Sequence, residues 1–195
     1  EIFSVTTAAK ELENTSAATI DSYIEALEMS NLIYLSKPMD VGSKGALKGK
    51  PKIYIADAAI RNAVLMIDDV LSDERELGAM VETTVYKHIV SFYQGSTAQL
   101  GYFRKAKDNQ KEVDVVIELP REKILCEVKY RNNSHIPATD AIVELCKDES
   151  AKVTSAFLIT KQLDDFGSAK HETQVPIAFL YLLGKAEADG QNGKM

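Results

Sequence analysis

Long apolar runs are missing from this 195-residue chain. The longest, such as residues 177–183, fall far short of the roughly 20 residues that cross a bilayer, so no membrane span is expected. Cysteine is scarce. Cys126 and Cys146 lie in apolar surroundings at no metal-ligand spacing, which argues against a disulfide framework and predicts two reduced core thiols. Nothing near Glu1 resembles a charged leader followed by an apolar stretch and a small-residue cleavage site, and the chain reads as a fragment of a larger cytoplasmic protein. No serine or cysteine nucleophile motif occurs. His88, His135 and His171 show no paired metal-ligand spacing and read as surface or satisfied interior histidines.

What is present is a globular composition, 45% hydrophobic and 27% charged, enough for one compact domain plus a small module. The net charge of -6 argues against a surface that coats nucleic acid everywhere, but not against a local basic groove. Two segments are locally basic. Lys37, Lys44, Lys48, Lys50 and Lys52 stand against Asp40 alone, and Arg104, Lys105, Lys107 and Lys111 against Asp108 alone.

Along the chain, Ser4 or Thr6 offers a cap for a short helix ending at Leu12, and residues 13–15 form a turn. Ser16 caps a second helix, in which Ile20, Tyr23, Ile24 and Leu27 recur at helical spacing up to Met29. Residues 32–35 and 53–55 read as strands flanking the Gly-, Ser- and Lys-rich segment 38–50. Two helices and a hairpin with a long basic loop describe a winged helix over residues 1–57, with its first helix missing. Residues 58–73 read as a connecting helix and linker. From residue 74 the pattern changes: Leu77, Val81, Val85 and Ile89 place one apolar stripe on a helix of about four turns. Strands are expected at 99–104, 112–118 and 124–130, with a hairpin turn at 120–123, then a helix from Thr139 or Asp140 to Lys147 and strands at 156–160 and 177–183. This second domain covers 74–184, and 185–195 form a loose tail.

The chemistry concentrates on three residues. Alternation along a strand puts Glu127 and Lys129 on one face while Cys126 and Val128 turn to the other. Asp114 stands among valines on the preceding strand, which the hairpin turn allows to lie alongside. Two carboxylates so placed can hold Mg²⁺ or Mn²⁺, and Glu82 on the preceding helix can add a third. Lys129 then stabilises developing negative charge or orients the nucleophile. A Glu-x-Lys strand face is equally what a solvated surface with a weak ion pair produces, and Glu82 alone reads as a surface glutamate. Tyr130 and Arg131 follow the motif and suit either substrate positioning or packing.

The run Lys-Glu-Val-Asp-Val-Val-Ile, thirteen residues from Asp114 to Glu127, then Cys-Glu-Val-Lys-Tyr, resembles the PD-(D/E)XK nuclease superfamily. Glu82, in Leu-Gly-Ala-Met-Val-Glu-Thr-Thr-Val-Tyr, matches the glutamate of that superfamily's first core helix. The whole chain except the tail is similar to the C-terminal region of a prokaryotic AAA+ ATPase family that joins a winged helix to a nuclease-like fold. Thr-Ile-Asp-Ser-Tyr-Ile-Glu-Ala-Leu-Glu, Lys-Pro-Lys-Ile-Tyr-Ile-Ala-Asp and Gly-Tyr-Phe-Arg carry that likeness. The resemblance implies an α/β, restriction-endonuclease-like mixed sheet flanked by helices and preceded by a truncated winged helix. It also implies metal-dependent phosphodiester hydrolysis on DNA, with an ATPase domain upstream. The ATPase itself is not expected here, since residues 45–51 look like a phosphate loop but lack its glycine spacing and its Ser or Thr.

Nucleic acid is expected at the basic segments rather than at the second helix. Asp21, Glu25 and Glu28 give that helix a charge of -3 with no Lys or Arg, which repels phosphate. Arg104, Lys105, Lys107 and Lys111 flank the Asp114 strand and can funnel phosphate toward it, while Lys44, Lys48 and Lys50 offer nonspecific contacts from the wing. The alternative class is a noncatalytic nucleic-acid- or protein-binding module of an ATPase, with a remnant site.

Overall fold

Among the described residues, five α-helices and six strands are formed by residues whose capping and patterning favour them. The computed structural model describes residues 3–12, 15–42, 50–70, 72–105, 111–133 and 135–162. Lys44, Lys48, Lys107, His171, the strand expected at 177–183 and the tail lie outside them. Helices α1 (Val5–Glu11) and α2 (Ala17–Met29) begin where the Ser4 and Ser16 hydroxyls accept amides of the first turn. Strands β1 (Ile33–Pro38) and β2 (Lys52–Ile55) form an antiparallel hairpin. Asp57 caps α3 (Ala58–Leu65), and Asp73 caps α4 (Glu74–Tyr93). Strands β3 (Gln99–Arg104), β4 (Glu112–Glu118) and β5 (Lys123–Lys129) follow, then α5 (Ala141–Lys147), capped by Asp140, and β6 (Ser155–Thr160).

The hairpin does not stand apart. Among the described residues one mixed sheet runs β2-β1-β3-β4-β5-β6, with β1 parallel to β3 and β5 parallel to β6. Lys37 pairs with Gly101 and Pro38 with Tyr102. The seam requires a glycine: a Cβ at Gly101 would lie 2.2 Å from the Lys37 carbonyl oxygen and 2.6 Å from Met39 Cγ.

Two apolar layers cover the sheet. On one face Val113, Val116, Leu125 and Leu158 pack with Ile142 and Leu145 of α5; on the other Val115, Ile117, Cys126 and Ile159 pack with Tyr54 and with Val85, Tyr86 and Ile89 of α4. The stripe on α4 is buried at its C-terminal end and half-buried at Leu77 and Val81, because the helix runs 20 residues, beyond the four turns expected. The core expectation fails for Cys146. It is exposed while Cys126 is buried, since α5 turns Ala141, Ile142, Val143 and Leu145 inward and leaves Cys146 on the outer side. Both thiols are free. Among the described residues, no helix is long and apolar enough to cross a membrane.

Candidate active site

A bulge sets the direction of Asp114. Gly101 pairs with Val116 and Phe103 with Val113, so β4 carries one residue more than β3 across this step. Val113 and Val115 consequently face opposite cores although they are two apart. Asp114, between them, is turned toward the α4 side. There its Oδ1 lies 3.4 Å from Lys52 Nζ.

The other half of the Asp114 carboxylate fastens β4 to β5. Its Oδ2 accepts the Val128 amide at 2.9 Å, and the Asp114 amide in turn donates to Glu127 Oε2 at 3.3 Å. This exchange takes over where the Val115–Cys126 ladder ends. Glu127 Oε1 receives the Lys129 ammonium, which also lies 3.8 Å from Asp140 at the start of α5. Glu127 is 5% exposed, so an unpaired charge there would be costly. The three motif residues therefore form one connected set, and β4 lies beside β5 as the hairpin turn predicts.

Lys52 is the residue that sequence reasoning missed. Counted among the wing lysines, it is instead the first residue of β2 and only 4% exposed. Its ammonium contacts Glu82 Oε1 at 3.0 Å, Asp114 Oδ1 and Glu112 Oε1, and sits 5.4 Å from the Tyr102 ring centroid. Tyr54, two residues on and on the same face of β2, donates its hydroxyl to the same Glu82 oxygen at 2.7 Å. The alternation Lys-Ile-Tyr-Ile contains this signal, since Lys52 and Tyr54 share a face. What it lacks is any mark of which face the sheet buries.

Charges and burial compete in this cluster. At Asp114 burial, then Glu82, push the carboxyl up to about 6 against the pull of Lys52. At Glu127 burial and Asp114 push it up to about 8 against Lys129. Glu82 goes the other way: burial works to raise it, but Lys52 and the Tyr54 hydroxyl outweigh that and hold it below the carboxylate range. For Lys52 and Lys129 burial works downward and the surrounding carboxylates win, so both stay charged. Burial, with Asp114 and Glu127 nearby, pushes the Cys126 thiol up to about 12, leaving it inert.

The raised Glu127 carboxyl has a measurable consequence. Folded chain keeps a proton that unfolded chain releases above about 4.5, so this group's contribution to stability falls as pH rises from there toward about 8. Glu127→Gln, which cannot ionise, is expected to gain up to about 4 kcal/mol on the native chain between pH 4 and pH 8. Thermal melts of both proteins across that range check it.

The basic residues mostly have acidic partners. Arg104 Nε lies 3.2 Å from Glu112 Oε2, and Lys111 and Lys105 both pair with Glu144, whose carboxyl they hold down to about 2. Lys50 is exposed and donates to Ser4 Oγ at 2.7 Å. His88, His135 and Arg131 are exposed, and Tyr130 is half-buried. A cleft of about 580 Å³ opens beside the cluster, lined among others by Lys52, Tyr54, Glu82, Arg104 and Glu112.

Mg²⁺ prefers carboxylate oxygens, and Asp114, Glu82 and Glu112 present them. They are disposed around a cation already, the Lys52 ammonium, and in that sense the donor chemistry fits. Among the described residues no three His, Cys, Asp or Glu side chains are grouped as a ready metal cage. Residues 77–180 match the profile described as Domain of unknown function (DUF4143), and residues 1–71 match Domain of unknown function (DUF8612). No curated protein matches the chain.

Proposed function

Since the chain belongs to the DUF4143 family, a domain commonly found at the C-termini of AAA-type ATPases, we propose that it carries a PD-(D/E)XK-type site for phosphodiester hydrolysis on DNA. The observation that carries the reading is the pair of carboxylate-to-amide bonds across β4 and β5, the Val128 amide to the Asp114 carboxylate and the Asp114 amide to the Glu127 carboxylate, with Lys129 bound to Glu127. It holds an acid pair and a cation on adjacent strands with little freedom. The order α4-β3-β4-β5-α5-β6 supports a restriction-endonuclease-like fold for residues 74 onward.

In this proposal Asp114 and Glu127 are the principal oxygen donors to Mg²⁺ or Mn²⁺, and Glu82 is auxiliary. The bound ion supplies Lewis-acid polarisation and lowers the pKa of the attacking water. Lys129, kept charged by its carboxylates, neutralises negative charge gathering on the phosphate. Asp140 restrains the Lys129 ammonium from the α5 side. Arg104, at the cleft, with Lys105, Lys107, Lys111, Lys44, Lys48 and Lys50, would meet the nucleic-acid backbone, and an ATPase domain upstream would be the partner within the full-length protein.

The test is cleavage of single- and double-stranded DNA with Mg²⁺ or Mn²⁺, beside Asp114→Ala and Lys129→Ala. Both variants are expected to fall to background. Equal cleavage by all three proteins removes the enzymatic reading. One observation favours the second reading, a noncatalytic module with a remnant site: the Lys52 ammonium stands between Asp114 and Glu82.

A further inference from the structure

Lys52 is placed unlike a structural surface lysine. It comes from β2, across the β1–β3 seam from the strands that carry the acid motif. Its ammonium takes one oxygen from each of three carboxylates, Glu82 on α4 and Glu112 and Asp114 on β4. An ammonium with three hydrogen-bond donors suits three acceptors, and a small divalent cation asks for oxygens at the same place. Lys52 and Arg104 share Glu112, whose two oxygens each face one of them.

The surroundings also leave Lys52 somewhere to go. The cleft is lined by Lys52, Glu82, Glu112 and Arg104 but not by Asp114, so the Lys52 side chain stands between Asp114 and the open space. A rotation of the side chain toward the cleft would take the ammonium away from Asp114 and toward a space that Glu112 also lines. The β2 backbone, paired with β1 from Lys52 to Ile55, need not move.

We infer that Lys52 is a tethered, displaceable counterion: its ammonium holds the divalent-cation position between Asp114 and Glu82, and cation binding there expels it into the adjoining cleft. The inference rests on the proposed reading of Asp114 and Glu82 as cation ligands, and it assigns regulation of that site to a residue from the preceding hairpin. Lys52 sets a threshold: the acids are kept compatible with the fold at low cation concentration, and the cation must compete with a covalently attached rival. Once expelled, the ammonium lies beside Arg104, where a phosphate entering the cleft would meet two positive charges.

Mn²⁺ alone is the probe, titrated calorimetrically into the whole chain and into Lys52→Gln, which keeps an amide donor but no charge. Lys52→Gln is expected to bind Mn²⁺ at least tenfold more tightly than the native chain, and Lys52→Gln with Asp114→Asn to lose that gain. Equal affinity in native and Lys52→Gln proteins overturns the counterion inference and leaves the metal-site reading standing. Absence of binding in both overturns the two together. Should Lys52→Gln not fold, acylation of Lys52 in the native chain, followed by mass spectrometry, decides the matter. Saturating Mn²⁺ is expected to accelerate it at least fivefold, and an unchanged rate overturns the inference.

Discussion

Lys52→Met lowers the stability of the fold by about 3–5 kcal/mol at pH 7, a drop of roughly 10 °C in melting temperature for a chain of this size. Methionine fills nearly the same volume, so packing changes little. What changes is charge: Glu82, Glu112 and Asp114 lose the ammonium that all three share, and Asp114 is already strained by burial and by Glu82. The sign of the pH dependence follows. The Lys52 ammonium stays charged throughout the acid and neutral range, so its own titration adds nothing there. Glu82, held below its usual range by Lys52, contributes stability above the ordinary carboxylate pKa and loses it as pH falls. Removing Lys52 removes that contribution, and the difference between native and variant proteins should shrink toward pH 4 as the carboxylates protonate. Thermal melts at pH 4, 5.5 and 7 measure this, and a destabilisation independent of pH would place the loss in packing instead.

Gly101→Ala has a comparable effect through a different cause. The new Cβ would approach a backbone carbonyl oxygen, Lys37 O, at 2.2 Å, and a backbone atom cannot swing aside as a side chain can. Relief requires β1 and β3 to separate at the residue pairs that join them in register, Lys37–Gly101 and Pro38–Tyr102. Overpacking of this kind costs up to about 3 kcal/mol or somewhat more. Urea titration gives the magnitude, and hydrogen exchange gives the location. The Met39 amide, which donates to the Tyr102 carbonyl at 2.8 Å, should lose protection before amides in the β4–β5 ladder do. Unchanged exchange at Met39 would mean that the seam tolerates the methyl group.

How much of this is legible in the sequence varies with the physics behind each element. Capping serines and aspartates are local signals, and Ser4, Ser16 and Asp140 start their helices where the residue types indicate. The β4–β5 hairpin is also local, since Leu119 and Glu122 close the turn between two valine- and isoleucine-rich runs. That suffices to place Asp114 beside Glu127. The bulge at Asp114 depends on how β3 aligns with β4, which neither strand encodes alone. Lys52 is harder still. A lysine reads as solvated until three acids from elsewhere in the fold surround it, and the seam that brings them together is a nonlocal parallel pairing. Cys146 fails for a related reason: an apolar neighbourhood in sequence does not say which side of a short helix is turned outward.

The seam has a further meaning for anyone who cuts the chain. The two family matches, 1–71 and 77–180, invite a division near residue 74, yet β1 lies in the first and β3 in the second. A fragment beginning at α4 would leave β3 paired with β4 alone, an edge strand whose other side offers amides and carbonyls to another chain. Intact, the protein closes that edge by bringing residues 37 and 101 together. Such a long-range contact carries a larger loop-closure entropy cost than the local β4–β5 hairpin. The hairpin thus acts as the guard strand of the sheet beside it, and the two matched segments share one sheet.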